Sequence, residues 1–280
     1  MAARQVDERA FVLGRRTGIA HGVVGSVRPA IRMLIDRLER RADDSFLGKI
    51  DRERQAWNAM LAERADPARS RDTIHPQSVA RMAGDCARDD ALFVNDTGEI
   101  TLWSANWVRQ RGRQRMIGSF NNAAVGTALG MANGAQALDR RRQVIAQIGD
   151  GGFTMLAGEL MTAVEHRLPV KIIVYDNSGW GLVHIEMEAA GLPATKGASF
   201  PNMDFAAYAK ACGAQGFAVD DPAQLETRMR AFLDCPGPAL LHAKVSAAEL
   251  PAMPHIDPAQ AIRFGIAKVK ERMLGLVGQR

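Results

Sequence analysis

An acidic residue and an amide residue stand where a divalent cation could be held. Asp150 lies among glycines in "IAQIGDGGFTML" (145–156), directly after an apolar run. Asn177 follows a second apolar run, in "VYDNSGW" (174–180). Carboxylate and amide oxygens are hard ligands that suit magnesium, which usually shares its sites with substrate phosphates. These two residues therefore predict a magnesium site that is completed by a backbone carbonyl, a water and phosphate oxygens.

The glycines beside Asp150 allow three interpretations. Gly151 and Gly152 would open the next helix, where free backbone N–H groups favour an anion such as a diphosphate. Alternatively, they only form a tight strand-to-helix turn and Asp150 caps the helix. A dinucleotide site requires G-x-G-x-x-G, but Thr154 stands where the third glycine is needed. Because the second loop carries Asn177 at matching spacing, the sequence favours a magnesium-diphosphate site.

Alternating strands and helices are predicted to position these loops. We expect strands at 91–95, 115–118, 143–149, 170–176, 216–220 and 238–245, and helices at 99–110, 122–138, 152–166, 203–212 and 222–234, with an irregular stretch from 177 to about 202. Strands that are apolar on both faces indicate a mostly parallel sheet covered by helices on both sides. The predicted fold is therefore an α/β three-layer sandwich, whose ligands bind beyond the carboxyl ends of the strands.

The first 71 residues follow a different pattern. Residues 1–20 are polar and predict no element, whereas 22–41 predict a short strand, a Gly-Ser turn and a helix. The charge-rich stretch 42–71 carries an intermittent apolar stripe, which indicates helices lying on a partner surface.

The composition indicates an ordinary globular protein. The 280 residues suggest one large or two small domains, and 47% apolar residues are enough for a substantial core. The formal net charge is +5, with arginine runs at 109–115 and 139–143. These runs are short and lack interleaved aromatic residues, so a solvated basic surface is favoured over a nucleic-acid partner.

The cysteines and the hydropathy bear on the cellular compartment. Cys86, Cys212 and Cys235 are widely spaced and odd in number, so they predict neither a metal site nor a disulfide framework. The N-terminal sequence lacks the apolar core of a signal peptide, and no apolar run approaches the length of a membrane span. We therefore expect a cytoplasmic protein without a transmembrane segment.

Several stretches together resemble thiamine-diphosphate-dependent enzymes of the pyruvate oxidase, quinone-dependent pyruvate dehydrogenase and acetolactate synthase group. The family motif GDG…NN corresponds to Gly149-Asp150-Gly151 and to Asp176-Asn177, with Asp176 in place of the first Asn. The pyruvate oxidase and dehydrogenase branch is resembled most by "HPQ" (75–77), "NDTGEITLW" (95–103), "IGSFNNA" (117–123), "LPVKIIVYDNS" (168–178) and "AELPAMPHID" (248–257).

This resemblance implies a domain layout and a set of site residues. Residues 72–250 would form the thiamine-diphosphate-binding domain, after a middle-domain remnant and helical linker at 1–71 and before a helical tail at 251–280. Magnesium would be held by Asp150, Asn177 and the carbonyl of Gly179. The cofactor would be bound by Asp96, Gly98, Asn121, Asn122, Val125, Gly149, Gly151, Gly152 and Ser178. In this family a bulky side chain props the cofactor, and Val125 stands at that position. His184 is a candidate for substrate contact.

The resemblance also implies that part of the active site lies elsewhere. Family members carry the glutamate that protonates the cofactor's pyrimidine ring in an N-terminal domain, and no Glu of this sequence matches it. We expect decarboxylation of pyruvate or a similar 2-oxo acid, with the missing domain supplied by a partner chain. The surface of 72–250 that family members bury against that domain is expected to associate with a partner chain or with another copy of this chain. The alternatives are an inactive cofactor-binding remnant and an acetolactate synthase-type carboligase. FAD is not supported, since family flavoenzymes hold it mostly in the middle domain.

Overall fold

The structure is a computed structural model that describes residues 3–40, 42–70, 72–194, 196–199, 201, 203–252 and 258–274. Internal contacts divide the chain into two units, residues 1–56 and 57–280. None of the described helices is long and apolar enough to cross a membrane.

The first unit contains a two-stranded parallel sheet. Strand β1 (Ala3–Asp7) pairs with β2 (Ile19–Val24), and helices α1 (Val27–Ile35) and α2 (Ser45–Arg64) follow, α2 continuing into the second unit. The prediction of no element in residues 1–20 is therefore wrong, because pairing with β2 stabilises β1 despite its polar sequence. The apolar face of α1 remains exposed, with Ile35 64% accessible. Among the described residues of 42–70, α2 is one long helix where several were expected, and a short 3-10 helix follows it at Pro67–Arg69.

The second unit alternates helices and strands. In chain order its elements are α3 (Pro76–Cys86), β3 (Leu92–Asn95), α4 (Glu99–Trp107), β4 (Arg115–Gly118), α5 (Ala128–Leu138), β5 (Val144–Gly149), α6 (Asp150–Met155), α7 (Glu159–Glu165), β6 (Lys171–Asp176), α8 (Gly181–Ala189), α9 (Phe205–Ala211), β7 (Gln215–Val219), α10 (Leu225–Asp234), β8 (Ala239–Lys244) and α11 (Pro258–Met273). All six predicted strands of this sheet are present.

The six strands β3–β8 form one parallel sheet between two helical layers. Their order is β4-β3-β5-β6-β8-β7, so the connections change direction between β3 and β5. One core cluster lies on the face covered by α3, α4 and α10, and the other on the face covered by α5, α7 and α9. This confirms the predicted three-layer α/β fold. A switch of strand order such as that between β3 and β5 leaves a crevice at the carboxyl ends of the strands.

A row of hydrogen-bonded polar side chains crosses the middle of the sheet. The Tyr175 hydroxyl donates to Gln147 Oε1 at 2.7 Å, and Gln147 Nε2 donates to Asn95 Oδ1 at 3.2 Å. All three side chains are buried, and burial raises the pKa of Tyr175 well above its usual value. The prediction of apolar strands therefore fails at these positions, where mutual hydrogen bonds offset the cost of burying polar groups. The row ties β3, β5 and β6 together directly before the loops that follow them.

Three predicted elements differ from the structure. The stretch expected to be irregular contains α8, which ends where Gly191 adopts a φ of 81°. The predicted helix 152–166 is divided into α6 and α7, since Leu156 leaves the helical region at the end of α6. Helix α5 begins at Ala128 rather than at 122, because Ala123 and Gly126 take positive φ values in the preceding loop.

Helix α11 is fixed to α8 by a half-exposed lysine that pairs with two buried glutamates. Lys268 Nζ lies 2.6 Å from Glu188 Oε1 and 3.2 Å from Glu271 Oε2. Glu271 Oε1 also accepts a hydrogen bond from Ala194 N. Glu188 is 2% exposed, so its carboxylate meets Lys268 inside the fold rather than at the surface.

Several side chains of the two arginine runs serve as hydrogen-bond donors within the fold. Arg111 donates to the carbonyls of Gly84 and Ala87 and pairs with Asp89 at 2.8 Å. Arg142 donates to Asp90 O at 2.7 Å. These arginines therefore join loops at the amino ends of the strands, away from the loops that follow the carboxyl ends.

Candidate functional site

Asp150 is a buried carboxylate at the carboxyl end of β5. Its side chain is 3% exposed, and it accepts hydrogen bonds from Gly151 N at 2.7 Å and from Gly179 N at 3.0 Å. The second bond joins the loops after β5 and β6. Gly149 is the N-cap of α6, and Asp150 makes no bond to the N–H groups two or three residues ahead, so Asp150 is not a helix cap.

Burial makes the ionised form of Asp150 costly in the metal-free chain. Desolvation raises the pKa of Asp150 to about 7, and the nearby carboxylate of Asp176 adds to the rise. The hydrogen bonds from Gly151 and Gly179 oppose that rise. A buried carboxylate with such a pKa is suited to gain a cation, because a cation would offset the burial of its charge.

Asn177 presents its side-chain oxygen to the same point as Asp150. Gly179 N donates to Asn177 Oδ1 at 3.2 Å as well as to Asp150 Oδ2 at 3.0 Å. Two oxygen atoms from different loops therefore converge on a single N–H group. Among the described residues, no group of three or more His, Cys, Asp or Glu side chains forms a metal site by itself.

Only glycine fits at position 179. A Cβ there would lie 2.7 Å from Ala198 O and 2.9 Å from His184 Cε1. The preceding residue, Ser178, has a φ of 61°, a conformation that is uncommon outside glycine. The loop after β6 is thus held in a strained shape that directs Asn177 toward Asp150.

Asp176 is held by a histidine that no sequence motif indicated. His242 Nε2 on β8 lies 2.7 Å from Asp176 Oδ2, and both side chains are buried. Burial opposes ionisation of Asp176, but the bonds from His242 and from Ser178 N outweigh it and lower the pKa of that carboxyl. His242 therefore compensates for the acidic residue that stands where the family motif has Asn.

Gly152 is required by a neighbouring carboxylate. A Cβ at residue 152 would overlap Asp96 Oδ2, which accepts a hydrogen bond from Gly126 N at 3.0 Å. Asp96 is 1% exposed, and burial raises its pKa against the lowering effect of the Gly126 amide. Close approach of a ligand was the predicted reason for this glycine, and the structure shows a packing reason, the contact with Asp96.

The predicted site residues are only partly brought together. A cavity of about 150 Å³ at the carboxyl ends of β3, β5 and β6 is lined by Gly98, Val125, Gly149, Asp150, Gly151, Gly152, Asn177 and Gly179. Ser178 and His184 line an adjoining cavity of about 730 Å³. Asp96 lies beneath the wall, bonded to the loop before α5, and Asn121 and Asn122 are exposed in a turn after β4.

Glu99 is a further cavity residue that the predicted set did not include. It is the first residue of α4, it lines both cavities, and its Oε2 accepts a hydrogen bond from Asn177 Nδ2 at 3.1 Å. The position directly after Gly98, in a loop already assigned to the site, was the available signal. The resulting site has hard oxygen atoms on two loops and a glycine-lined cavity beside them.

Comparison with known proteins identifies the family of this chain. Residues 96–243, slightly more than half of the chain, match the family described as thiamine pyrophosphate enzyme, C-terminal TPP binding domain. The parallel α/β sandwich that carries this site is thus a thiamine-diphosphate-binding domain. The chain belongs to the thiamine pyrophosphate enzyme family, and residues 96–243 are its C-terminal cofactor-binding domain.

Individual relatives match over most of this chain but over less than half of their own length. The putative thiamine pyrophosphate-containing protein YdaP of Bacillus subtilis (strain 168) is 31% identical over 225 residues, covering 80% of this chain and 38% of that protein. The catabolic acetolactate synthase of Raoultella terrigena is 32% identical over 226 residues, covering 78% of this chain and 39% of that protein.

A solved structure shares the fold. It is the thiamine diphosphate-dependent 4-hydroxybenzoylformate decarboxylase of Rhodococcus jostii RHA1, with a TM-score of 0.58 and 24% identity. The alignment covers 62% of this chain and 33% of that one. Thus the resemblance to the family, stated above from sequence motifs, is confirmed at the level of family and fold.

Proposed function

We propose that this chain binds thiamine diphosphate through magnesium and serves in the decarboxylation of pyruvate or a similar 2-oxo acid. The observation that carries the proposal is the convergence of Asp150 Oδ2 and Asn177 Oδ1 on Gly179 N, from loops of a thiamine-diphosphate-binding domain. Hard oxygen ligands of this kind suit magnesium that shares its coordination with phosphate oxygens.

The residues that line the cavity fit a magnesium ion and the diphosphate of thiamine diphosphate. Asp150, Asn177 and the carbonyl of Gly179 would bind magnesium, and Gly151 and Gly152 would lie beside the diphosphate. A cation would offset the burial of the Asp150 carboxylate. Val125 and Gly98, in the cavity wall, would contact the rest of the cofactor. When bound, thiamine diphosphate supplies the electron sink that stabilises the carbanion left by loss of CO2.

We infer that turnover requires a pyrimidine-binding region outside the described residues, on a partner chain or another part of a longer protein. The cavity beside Asp150 has only about 150 Å³, less than the roughly 300–1,000 Å³ usual for small-molecule sites, and the adjoining cavity of about 730 Å³ is not lined by residues 149–152. Among the described residues, the glycine-lined part of the site therefore lacks an enclosing second wall. Exposed apolar side chains near the carboxyl ends of the strands support association there, among them Phe120, Met155 and Leu156.

A second candidate is an acetolactate synthase-type carboligase. It is favoured by relatives that carry that name, including the enzyme from Raoultella terrigena. Product analysis separates the two candidates, since acetolactate would accumulate from pyruvate only in a carboligase. A third, an inactive cofactor-binding remnant, would bind the cofactor and stay inactive with every candidate partner.

Calorimetric titration of the pure chain with thiamine diphosphate tests the proposed function. We expect binding in the presence of magnesium and a loss of affinity of at least about tenfold when magnesium is removed with a chelator, because the diphosphate is then held without its cation. The same preparation is expected to release no CO2 from pyruvate. Cofactor binding that is indifferent to magnesium would refute the site, and turnover by the lone chain would refute the need for another region.

The affinity for magnesium is expected to rise with pH and to level off above about pH 7. Burial raises the pKa of Asp150 to about 7, and the cation must displace the proton held below that pKa. At about pH 6 the affinity should therefore be roughly tenfold weaker than at the plateau. The measurement is a series of magnesium titrations from about pH 5.5 to 8.5 with thiamine diphosphate present.

The metal-free fold should show the opposite trend. An acid whose pKa is raised on folding holds its proton more tightly in the folded chain, so its contribution to stability is present below about pH 4. That contribution is lost as the pH rises to about 7. Urea unfolding with a chelator present measures this contribution to the free energy of unfolding. In the magnesium titrations, an affinity that stays flat from about pH 6 to 7 would contradict the assignment of Asp150.

A further inference from the structure

Glu99 and Asn177 form a hydrogen-bonded pair that links α4 to the loop after β6. Glu99 Oε2 lies 3.1 Å from Asn177 Nδ2, and the two residues are 78 positions apart in the chain. The pair is partly buried beside the cavity that contains Asp150. It therefore joins the loop after β3 to the loop that supplies the amide oxygen of the site.

The partners of Asn177 determine which way its amide points. An ionised carboxylate only accepts hydrogen bonds, so Glu99 can face the NH2 group of the amide but not its oxygen. Oδ1 then points to the opposite side, where Gly179 N donates to it at 3.2 Å. This N–H also donates to Asp150 Oδ2. The amide is thus fixed at both ends, with its oxygen on the side of Asp150.

Gly181 leaves the space that the Glu99 carboxylate occupies. A Cβ at residue 181 would overlap Oε2 and Cδ of Glu99 and would lie 2.6 Å from Asn177 Nδ2. Gly181 is the first residue of α8, and no positive φ requires a glycine at that position. Room for the pair is therefore the physical reason for a glycine there.

We propose that Glu99 is a positioning residue for the cation site, whose carboxylate orients the Asn177 amide so that Oδ1 serves as a ligand. This inference rests on the proposed binding of magnesium and thiamine diphosphate. Partners of this kind, which orient a ligand without touching the metal, typically change metal affinity by about 10–100-fold. A glutamine side chain at position 99 removes the constraint, because its amide can pair with either end of Asn177.

A double-mutant cycle tests the positioning role. The four proteins are the unaltered chain, Glu99→Gln, Asn177→Asp and the double variant, each titrated with Mn²⁺ in the presence of thiamine diphosphate, with free Mn²⁺ followed by electron paramagnetic resonance. We expect Glu99→Gln to weaken Mn²⁺ binding about tenfold. Asn177→Asp alone places two carboxylates face to face. In the double variant, the amide introduced at position 99 can donate to the carboxylate introduced at position 177, so a reversed pair is formed.

The decisive quantity is the change caused by Asn177→Asp in each background. For each background we take the ratio of the Mn²⁺ affinity with Asp at position 177 to the affinity with Asn there. We expect this ratio to be at least about tenfold larger in the Glu99→Gln background than in the unaltered chain, since coupled residues are not additive. Equal effects in both backgrounds would overturn the positioning role, because a carboxylate ligand that acts independently of residue 99 gives that result. Glu165→Gln, an exposed glutamate on α7 with the same charge change, is the matched control.

Two further measurements keep the outcomes distinct. Thermal unfolding of the metal-free variants detects loss of the fold, and the side-chain NH2 resonances of Asn177 report its pairing without metal. If the unaltered chain binds no Mn²⁺ with thiamine diphosphate, the proposed function fails. If it binds Mn²⁺ but Glu99→Gln leaves both the affinity and the NH2 resonances unchanged, only the role of Glu99 fails.

Discussion

Asp150→Ala is expected to abolish magnesium-dependent binding of thiamine diphosphate. The substitution removes the buried carboxylate that joins the loops after β5 and β6 and faces the same N–H group as Asn177 Oδ1. Because loss of a residue that merely supports a metal ligand costs about 10–100-fold in affinity, loss of the ligand itself should cost at least about 100-fold. Calorimetry at saturating magnesium measures the effect.

A control of equal charge change accompanies this substitution. Asp85→Ala removes an exposed carboxylate whose partner, Arg81, lies 3.6 Å away. Exposed ion pairs contribute at most about 1 kcal/mol, so folding and cofactor binding should be unchanged. If Asp150→Ala retains the affinity of the unaltered chain, the carboxylate is only a residue of the turn and the proposed metal site is wrong.

Gly152→Ala is expected to lower the free energy of unfolding by about 1–3 kcal/mol, in the range of overpacked buried sites. A Cβ at this position overlaps Asp96 Oδ2, which has to move away from Gly126 N. The loop before α5 would lose its anchor, and magnesium-dependent cofactor binding should weaken with it. Urea unfolding of the metal-free chain gives the stability, and calorimetry gives the affinity.

Gly149→Ala is the matched control within the same motif. No atom lies within 4 Å of a Cβ built at Gly149, and its φ of −73° is available to any residue. This variant should unfold within about 0.5 kcal/mol of the unaltered chain. Equal stability losses at 149 and 152 would show that both glycines of the turn resist an added side chain, rather than that Asp96 requires the space at 152.

The sheet and most of its helices follow from local sequence patterns. Apolar runs bounded by polar loops predicted β3 and β5–β8 with small errors at their ends, because a buried parallel strand needs apolar side chains on both faces. Helix α8 was not predicted, because glycines at 179 and 181 stand where it begins and glycine has a low helix propensity. Strand β1 was missed because its stability comes from pairing with β2 rather than from its own residues.

The residues of the candidate site were likewise predicted from sequence only in part. Asp150 and Asn177 could be chosen from sequence because each directly follows a strand, and the parallel topology brings the ends of strands to one edge. Asp96 also follows a strand, yet the structure places it beneath the cavity wall, since its carboxylate is occupied by Gly126 N. The strand pattern gives the edge on which a residue lies but not the direction of its side chain.

Motifs that resemble a known family were sufficient to predict the family, and the strand pattern was sufficient to predict the layered fold. The strand ends also led to the proposal of Asp150 and Asn177 as a pair of oxygen ligands. The packed chain was needed to show which distant groups contact these residues and their neighbours: His242 against Asp176, Glu99 against Asn177, and Asp96 against Gly152. The members of these pairs come from separate elements, and nothing in the local sequence around one of them specifies the other. The physical reason is that a buried polar group needs a partner, and packing of the whole sheet determines which one lies within reach.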